Sequence, residues 1–558
     1  MSLLPAIQGT QLLKPVVFND FAGGWNVVQD DLNLERKYSN KMYNVYRAVD
    51  GTAAVRYGTR LFANPGAATT MPTSVINITY FRTVLICVMS NGEIIAVQGD
   101  GTMTRIWDAT IAFALPSHAS GWSATTFASF AQFNGELIIA NGKDKPLIVH
   151  TNISVEYLFD KGSNSNINTP IAKYVTVSHR YLIFCGDPVY PNRVYISAKD
   201  TSGTFYGDPA PNDGTFIDIG TVLVNATAIR GAVSFRDRLV IFYPEGVVLG
   251  TLGVYNAAGT AHVPAFDDAV EQYGSISHRS VVPLGEDCLF MDHIGVPSLK
   301  HNVFTGTMIP QRTSDLIDPA TATALLALTD LAYDESVWSV YNQREGQFMF
   351  FIPNNSVPAS VTETKAYTYV YRPALSIASW SRFDGWNFTC GARTAEDNIF
   401  FGDKNGKLWL HGSQQAPLYA DYLNDTTINA GAGVAISFTW ELPWSAFGKR
   451  MNSKSIRYFG MDTRGTADFT VSMFVDRFTV DAYGAPSPAL TMLMTGGDSG
   501  GFGDGDSGYG SGRMTNDERL YAWPAKLQLA KMQFSGTTTT PLRFVSLNFL
   551  ILRGGYNR

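Results

Sequence analysis

The run TVLICVMSNGEIIAVQGDGTMTRIW, residues 83–107, decides the fold. It holds three short apolar or β-branched stretches separated by Asn91-Gly92 and Asp100-Gly101. Such pairs supply the positive φ angles that tight hairpin turns require. Three strands joined by two turns is therefore the expected local structure.

Related apolar runs recur along the chain: ELIIA (136–140), RYLIFC (180–185), RLVIFY (238–243), DCLFMD (287–292), QFMFFI (347–352) and NIFFG (398–402). With the first they make seven. Their centres lie about 50 residues apart, the length that a four-stranded propeller blade needs. Partner strands follow several of them after a polar turn: RVYIS at 193, GVVLG at 246, GVPSL at 295, AYTYVY at 366 and KLWLHG at 407. Helical periodicity is confined to short stretches near 34–46 and 319–329.

After residue 413 the rhythm changes. VAISFTWELPW, SIRYFGMDTRG, DFTVSMFVD, AKLQLAKMQFSG and LRFVSLNFLILRGG alternate apolar and polar residues over longer strands. That pattern suits an antiparallel sandwich with one wet face on each sheet. The expectation is an all-β protein in three consecutive parts. Residues 1–70 form a segment that packs on or closes the propeller, 71–412 a β-propeller of about seven blades, and 413–558 a β-sandwich-like domain.

The chain has 558 residues, 45% of them hydrophobic and 16% charged, with net charge -6. A typical soluble domain is about 25% charged. No run of Lys or Arg advertises an electrostatic grip on nucleic acid or an anionic membrane. Cys87, Cys185, Cys288 and Cys390 each sit in an apolar strand-like run without CxxC spacing, as reduced core residues do. No stretch has the length of a membrane span or the form of a secretion signal, so neither is expected.

One loop invites a catalytic reading. TGGDSGGFGDGDSGYGSGR, 495–513, contains GDSGG, the pentapeptide around the nucleophile of chymotrypsin-like proteases. A serine such as Ser499 needs a histidine base and an orienting carboxylate. The chain offers only GTAHVPA around His262. A calcium β-roll needs a fixed nonapeptide spacing, which Asp498, Asp504 and Asp506 do not keep. A phosphate loop needs Gly-Lys-Ser/Thr, which is missing. Nine glycines in the eighteen residues 496–513 describe a long excursion from the C-terminal sheet. An excursion of this length usually serves a tip, gate or contact. The candidate gate or partner-contact residues are Gly496, Gly497, Asp498, Gly500, Phe502, Asp504, Asp506 and Tyr509.

Two acidic groupings, Asp292 with His293 and Asp267-Asp268 with Glu271, read as a strand end and a polar inter-blade loop. The eight histidines show no HxH or HExxH spacing, so no metal site is expected. No catalytic residue and no cofactor is assigned.

The segment FNDFAGGWNVVQDDLNLERKYSNKMYNVYRAVDGTAAVRYGTRLFA, residues 18–63, resembles the N-terminal region of tail nozzle proteins of short-tailed bacteriophages, also called stabilisation or tail tubular B proteins. The shared features are an aromatic-Ala/Gly-Gly turn, a short helix ending in Asn-Val, and an Arg-x-Gly-Thr close. Segments 172–197, 273–299 and 380–410 are similar to successive propeller parts of that family. The resemblance implies a non-enzymatic structural protein of the virion tail, assembled in the host cytoplasm. It also implies a homo-hexamer beneath the portal and its adaptor, contacting tail fibres or spikes. Genomic DNA would pass through the lumen without tight binding, and a weakly charged acidic chain is compatible with that passage. The alternative is a receptor-binding or glycan-processing propeller, which would need paired carboxylates in an aromatic pocket.

Overall fold

At the first hairpin the strands run Val84–Met89, Ile94–Val97 and Met103–Trp107, antiparallel throughout. Within the two turn pairs, positive φ belongs to the glycines, 88° at Gly92 and 85° at Gly101. Asn91 and Asp100 act instead as side-chain caps, accepting from the amides of Glu93 (3.1 Å) and Thr102 (2.8 Å).

The computed structural model describes residues 14–556 apart from 22, 70–72, 109–121, 159–167, 207–213, 224–225, 254–263, 285–286, 302–307, 329–335, 376, 414–416, 424–432, 448–451, 466, 476–489 and 495–528. Each apolar run singled out in the sequence becomes the second strand of a four-stranded antiparallel arrangement. In chain order these strands are Val84–Met89, Glu136–Ala140, Tyr181–Cys185, Arg238–Phe242, Asp287–Leu289, Gln347–Pro353 and Ile399–Asp403. They are buried almost without interruption, because neighbouring sheets cover both faces.

Successive residues of such a strand point to opposite faces. Ile86 and Val88 pack with Leu137 and Ile139 of the second sheet, whereas Leu85 and Cys87 pack with Phe400 and Leu408 of the seventh. The same alternation continues around the molecule: Ile138 meets Leu182, Ile183 meets Leu239, Val240 meets Cys288, Leu289 meets Phe348, and Met349 meets Phe401. The apolar cores thus follow one another in a cycle that returns to the first sheet. This is β-propeller architecture.

The chain ends are interleaved. Strand Thr59–Ala63 is the outer strand of the seventh sheet, pairing with Leu408–His411. Strand Lys41–Tyr43 lies between Ile377–Trp386 of the sixth sheet and Val434–Glu441 of the C-terminal part. A second sheet combines Lys14–Phe18, Val45–Arg47 and Ala53–Val55 with Asn452–Gly465 and Leu542–Tyr556. Its Phe544 packs against Trp440, Phe469 and Phe534 of the other sheet, with ring centroids 5.0, 5.5 and 5.6 Å away. The C-terminal strands therefore share both their sheets with N-terminal strands.

The stretch 319–329 contributes the helix Asp318–Leu326. The stretch 34–46, expected to be helical, instead forms the short strands Tyr38–Ser39, Lys41–Tyr43 and Val45–Arg47. Asn44 explains the difference. It takes φ 57°, its Nδ2 donates to the Ser437 carbonyl at 2.7 Å, and its Oδ1 accepts from Arg56 Nε at 2.8 Å. A left-handed residue with its side chain committed to distant partners interrupts helical hydrogen bonding. Asp267, Asp268 and Glu271, expected in a loop, lie on the strand Ala265–Glu271. Among the described residues no helix is long and apolar enough to cross a membrane.

Candidate functional site

The glycine-rich candidates Gly496, Gly497, Asp498, Gly500, Phe502, Asp504, Asp506 and Tyr509 lie outside the described residues, as does His262. Asp292 is committed to structure: it caps its turn through the amides of Ile294 and Gly295 at 2.7 and 2.6 Å and pairs with Arg312 at 2.8 Å. Asp268 and Glu271 are exposed on their strand. The four cysteines are free and buried, and burial raises each thiol, that of Cys390 to about 12. They are not nucleophiles at neutral pH. Among the described residues no group of three metal-ligating side chains comes together.

Two constellations stand out. The first is built from Arg56-Tyr57-Gly58-Thr59, the Arg-x-Gly-Thr close noted in the sequence. Arg56 is 2% exposed and donates to Asp421 Oδ1 and Oδ2 at 3.1 and 2.6 Å, to the carbonyls of Tyr57 and Asp384 at 3.0 Å each, and to Asn44. Thr59 donates its amide and its hydroxyl to Asp421 Oδ1, both at 3.1 Å. The guanidinium also lies over Trp386, 4.3 Å from the ring centroid. Gly58 is required because a Cβ there would overlap the carbonyl of Ala420. This motif is a latch: it fastens the N-terminal segment, the sixth and seventh sheets and the strand Ala420–Asp421.

A second charged joint supports it. Glu441, 3% exposed, accepts from Lys531 at 2.8 Å and from Lys41 at 3.0 Å, and Lys531 also faces Asp31 at 3.5 Å. Burial alone would raise the Glu441 carboxyl, but the two lysines outweigh it and hold the group below its ordinary range.

The second constellation reaches across the cycle of sheets. It comes from the short 3-10 turn His278–Ser280, just before the fifth sheet. Arg279 Nη1 donates to the carbonyl of Ile76 in the first sheet at 2.7 Å, and its guanidinium lies 5.9 Å from the Phe127 ring. The His278 ring sits 5.2 Å from that of Tyr174 in the third sheet, and its Nδ1 accepts from the amide of Ala232 in the fourth at 3.4 Å. That bond places the ring proton on Nε2. Burial and the neighbouring Arg279 charge push His278 down to about 4. Ser277 donates to the carbonyl of Val337, and the Arg279 carbonyl accepts from Ser339 of the sixth sheet. One turn thus reaches the first, third, fourth and sixth sheets. A cavity of about 400 Å³ is lined by Thr79, Gln132, Ser339, Tyr341 and Arg393 among others, and none of its described lining residues is a carboxylate.

The sequence matches no family model and no curated protein. Solved structures similar to the chain include three propellers, each at low superposition. The WD40 β-propeller domain of Doa1 matches at 9% identity over 64% of this chain and 97% of that one, TM-score 0.34. YCF48 bound to D1 peptide matches at 10% identity over 62% and 94%, TM-score 0.35. BamB from Moraxella catarrhalis matches at 10% identity over 72% and 98%, TM-score 0.34. The propeller architecture rests on the strand order and the cycle of shared cores.

Sequence reading passed over His278 and Arg279 because SISHRSV carries no catalytic spacing. Asp421 had no signal of its own, since its partner Arg56 stands hundreds of residues away.

Proposed function

We propose that this chain is a structural protein of a short-tailed bacteriophage virion, the nozzle of its tail. In this reading the seven sheets are the blades of one ring and the paired C-terminal sheets form a sandwich bound to it. Six copies close a ring below the portal and its adaptor, and tail fibres or spikes attach to that ring. The supporting observation is the latch at Arg56: the segment that resembles nozzle proteins is the part that ties propeller and C-terminal strands together. Such a tie suits a body that must transmit load without opening.

In this reading Arg279 and His278 reach across between the sheets, and the lumen for DNA is formed between subunits. A heterologous contact repeated around a closed axis builds such a lumen. An acidic chain with few cations lets DNA slide, because each neutralised phosphate would add to a salt-dependent hold. Peptide mass spectrometry on purified particles tests the reading. About six copies per particle, measured against the portal protein, is the expected result; absence from the particle rejects it.

A further inference from the structure

Most aromatic side chains of this protein are buried. Among the described residues three are more than a third exposed, Tyr190 (46%), Tyr206 (61%) and Phe216 (37%), and all three stand together on the rim of the third sheet. Their arrangement is ordered. The Arg193 guanidinium lies between Tyr190 and Phe216, 3.8 and 4.3 Å from the ring centroids, and Tyr206 meets Phe216 edge-on at 5.1 Å. Asp187 fixes the turn that displays Tyr190, accepting from the amides of Val189 (2.7 Å) and Tyr190 (3.2 Å) and from the Tyr195 hydroxyl (2.6 Å). Arg193 is held in turn by Asp218 at 3.0 Å, whose side chain is 56% exposed.

We propose that the Tyr190–Arg193–Phe216–Tyr206 stack is a binding platform for a neutral saccharide. An exposed apolar cluster on a soluble protein marks a contact site. Here its extent selects the occupant. A stable protein interface takes about 20–30 residues a side, whereas this cluster is a few side chains, the footprint of two or three sugar rings. The apolar C–H face of a pyranose lies flat on an aromatic ring, while its hydroxyl edge donates to the exposed carboxylate of Asp218 and exchanges hydrogen bonds with the tyrosine hydroxyls. Charge favours a neutral ligand, because the Arg193 cation is already matched by Asp218. The cation–π sandwich preorganises the rings, so little side-chain entropy is lost on binding. The platform stands independently of the nozzle reading.

The test is saturation-transfer NMR on the full chain with maltotriose, triacetylchitotriose, lactose and 3′-sialyllactose as probes. Transfer to the ring C–H protons of at least one neutral probe is expected, with affinity falling roughly tenfold in each of Tyr206→Ala and Phe216→Ala, the factor that about 1.4 kcal/mol represents. Both side chains are exposed, so an unchanged melting curve shows that the variants fold. Absence of transfer from every neutral probe overturns the proposal, as does transfer that both variants retain. Tighter binding of sialyllactose than of lactose overturns the assignment to a neutral ligand.

Discussion

Arg56 Nη2 and Asp421 Oδ2 meet at 2.6 Å although they stand 365 residues apart in the chain, and both side chains are almost wholly removed from solvent, at 2% and 8% exposure. Removing one partner of a buried pair leaves an uncompensated charge, at a cost of about 3–5 kcal/mol. Arg56→Met is therefore expected to lower the thermal midpoint by several degrees. The pair Arg56→Met with Asp421→Asn should recover part of the loss, since the asparagine still accepts from Thr59. A midpoint within one degree of wild type in the single variant would show that the latch carries no load.

Gly58 gives a steric test of the same latch. An added methyl would overlap the Ala420 carbonyl, which is backbone and has no rotamer by which to retreat. Gly58→Ala is expected to leave the soluble fraction on expression. Gly99→Ala, where the new Cβ meets nothing within 4 Å, is the matched control; it should stay within about 0.5 kcal/mol of wild type. Equal soluble yields of the two variants would contradict the geometry.

The propeller was legible because its signal is local. Residues 84–89 are apolar at every position, and a strand covered on both faces must read that way. The helix at Asp318–Leu326 was legible for the same reason. What failed was long-range. Lys41–Tyr43 gains its strand partners from Arg382 and from Thr439–Glu441, so nothing within residues 34–46 reports them. The interleaving of the chain ends was hidden likewise. Leu542–Tyr556 alternates as any half-wet strand does, and its pairing with Lys14–Phe18 leaves no mark in either segment alone. The turn His278–Ser280 lies within the segment 273–299, and its contacts depend on carbonyls that belong to other sheets.

The same turn should act as a local clasp. Arg279→Met removes the donor to the Ile76 carbonyl and leaves a buried acceptor, which costs about 1–3 kcal/mol. Hydrogen–deuterium exchange resolves where that cost falls. Amides of Val75–Phe81 are expected to exchange roughly tenfold faster, the factor that about 1.4 kcal/mol represents. Those of Phe469–Val475, in the C-terminal sheet, should stay as they are. If both segments speed up alike, Arg279 supports the whole molecule and not the first sheet alone.

Two buried histidines contribute to the acid response. Burial and the nearby Arg56 charge push His411 down to about 3, and His278 lies at about 4, against an ordinary value of 6.5 for both. The unfolded chain takes up these protons as pH falls through 6.5, whereas the folded chain refuses them until pH 3–4. The unfolded state therefore binds more protons in that window, and stability falls as pH falls. Each histidine contributes a loss of about 1.4 kcal/mol per pH unit there. Glu441 acts lower: its stabilising share is present above its ordinary 4.5 and is lost as pH falls through its depressed value. Thermal midpoints measured from pH 7.5 to 5 should decline in the wild type. His411→Gln should show a visibly shallower decline, because only His278 then remains of the two. Parallel curves for the two proteins would mean that His411 takes its proton in the folded state, and would overturn this expectation.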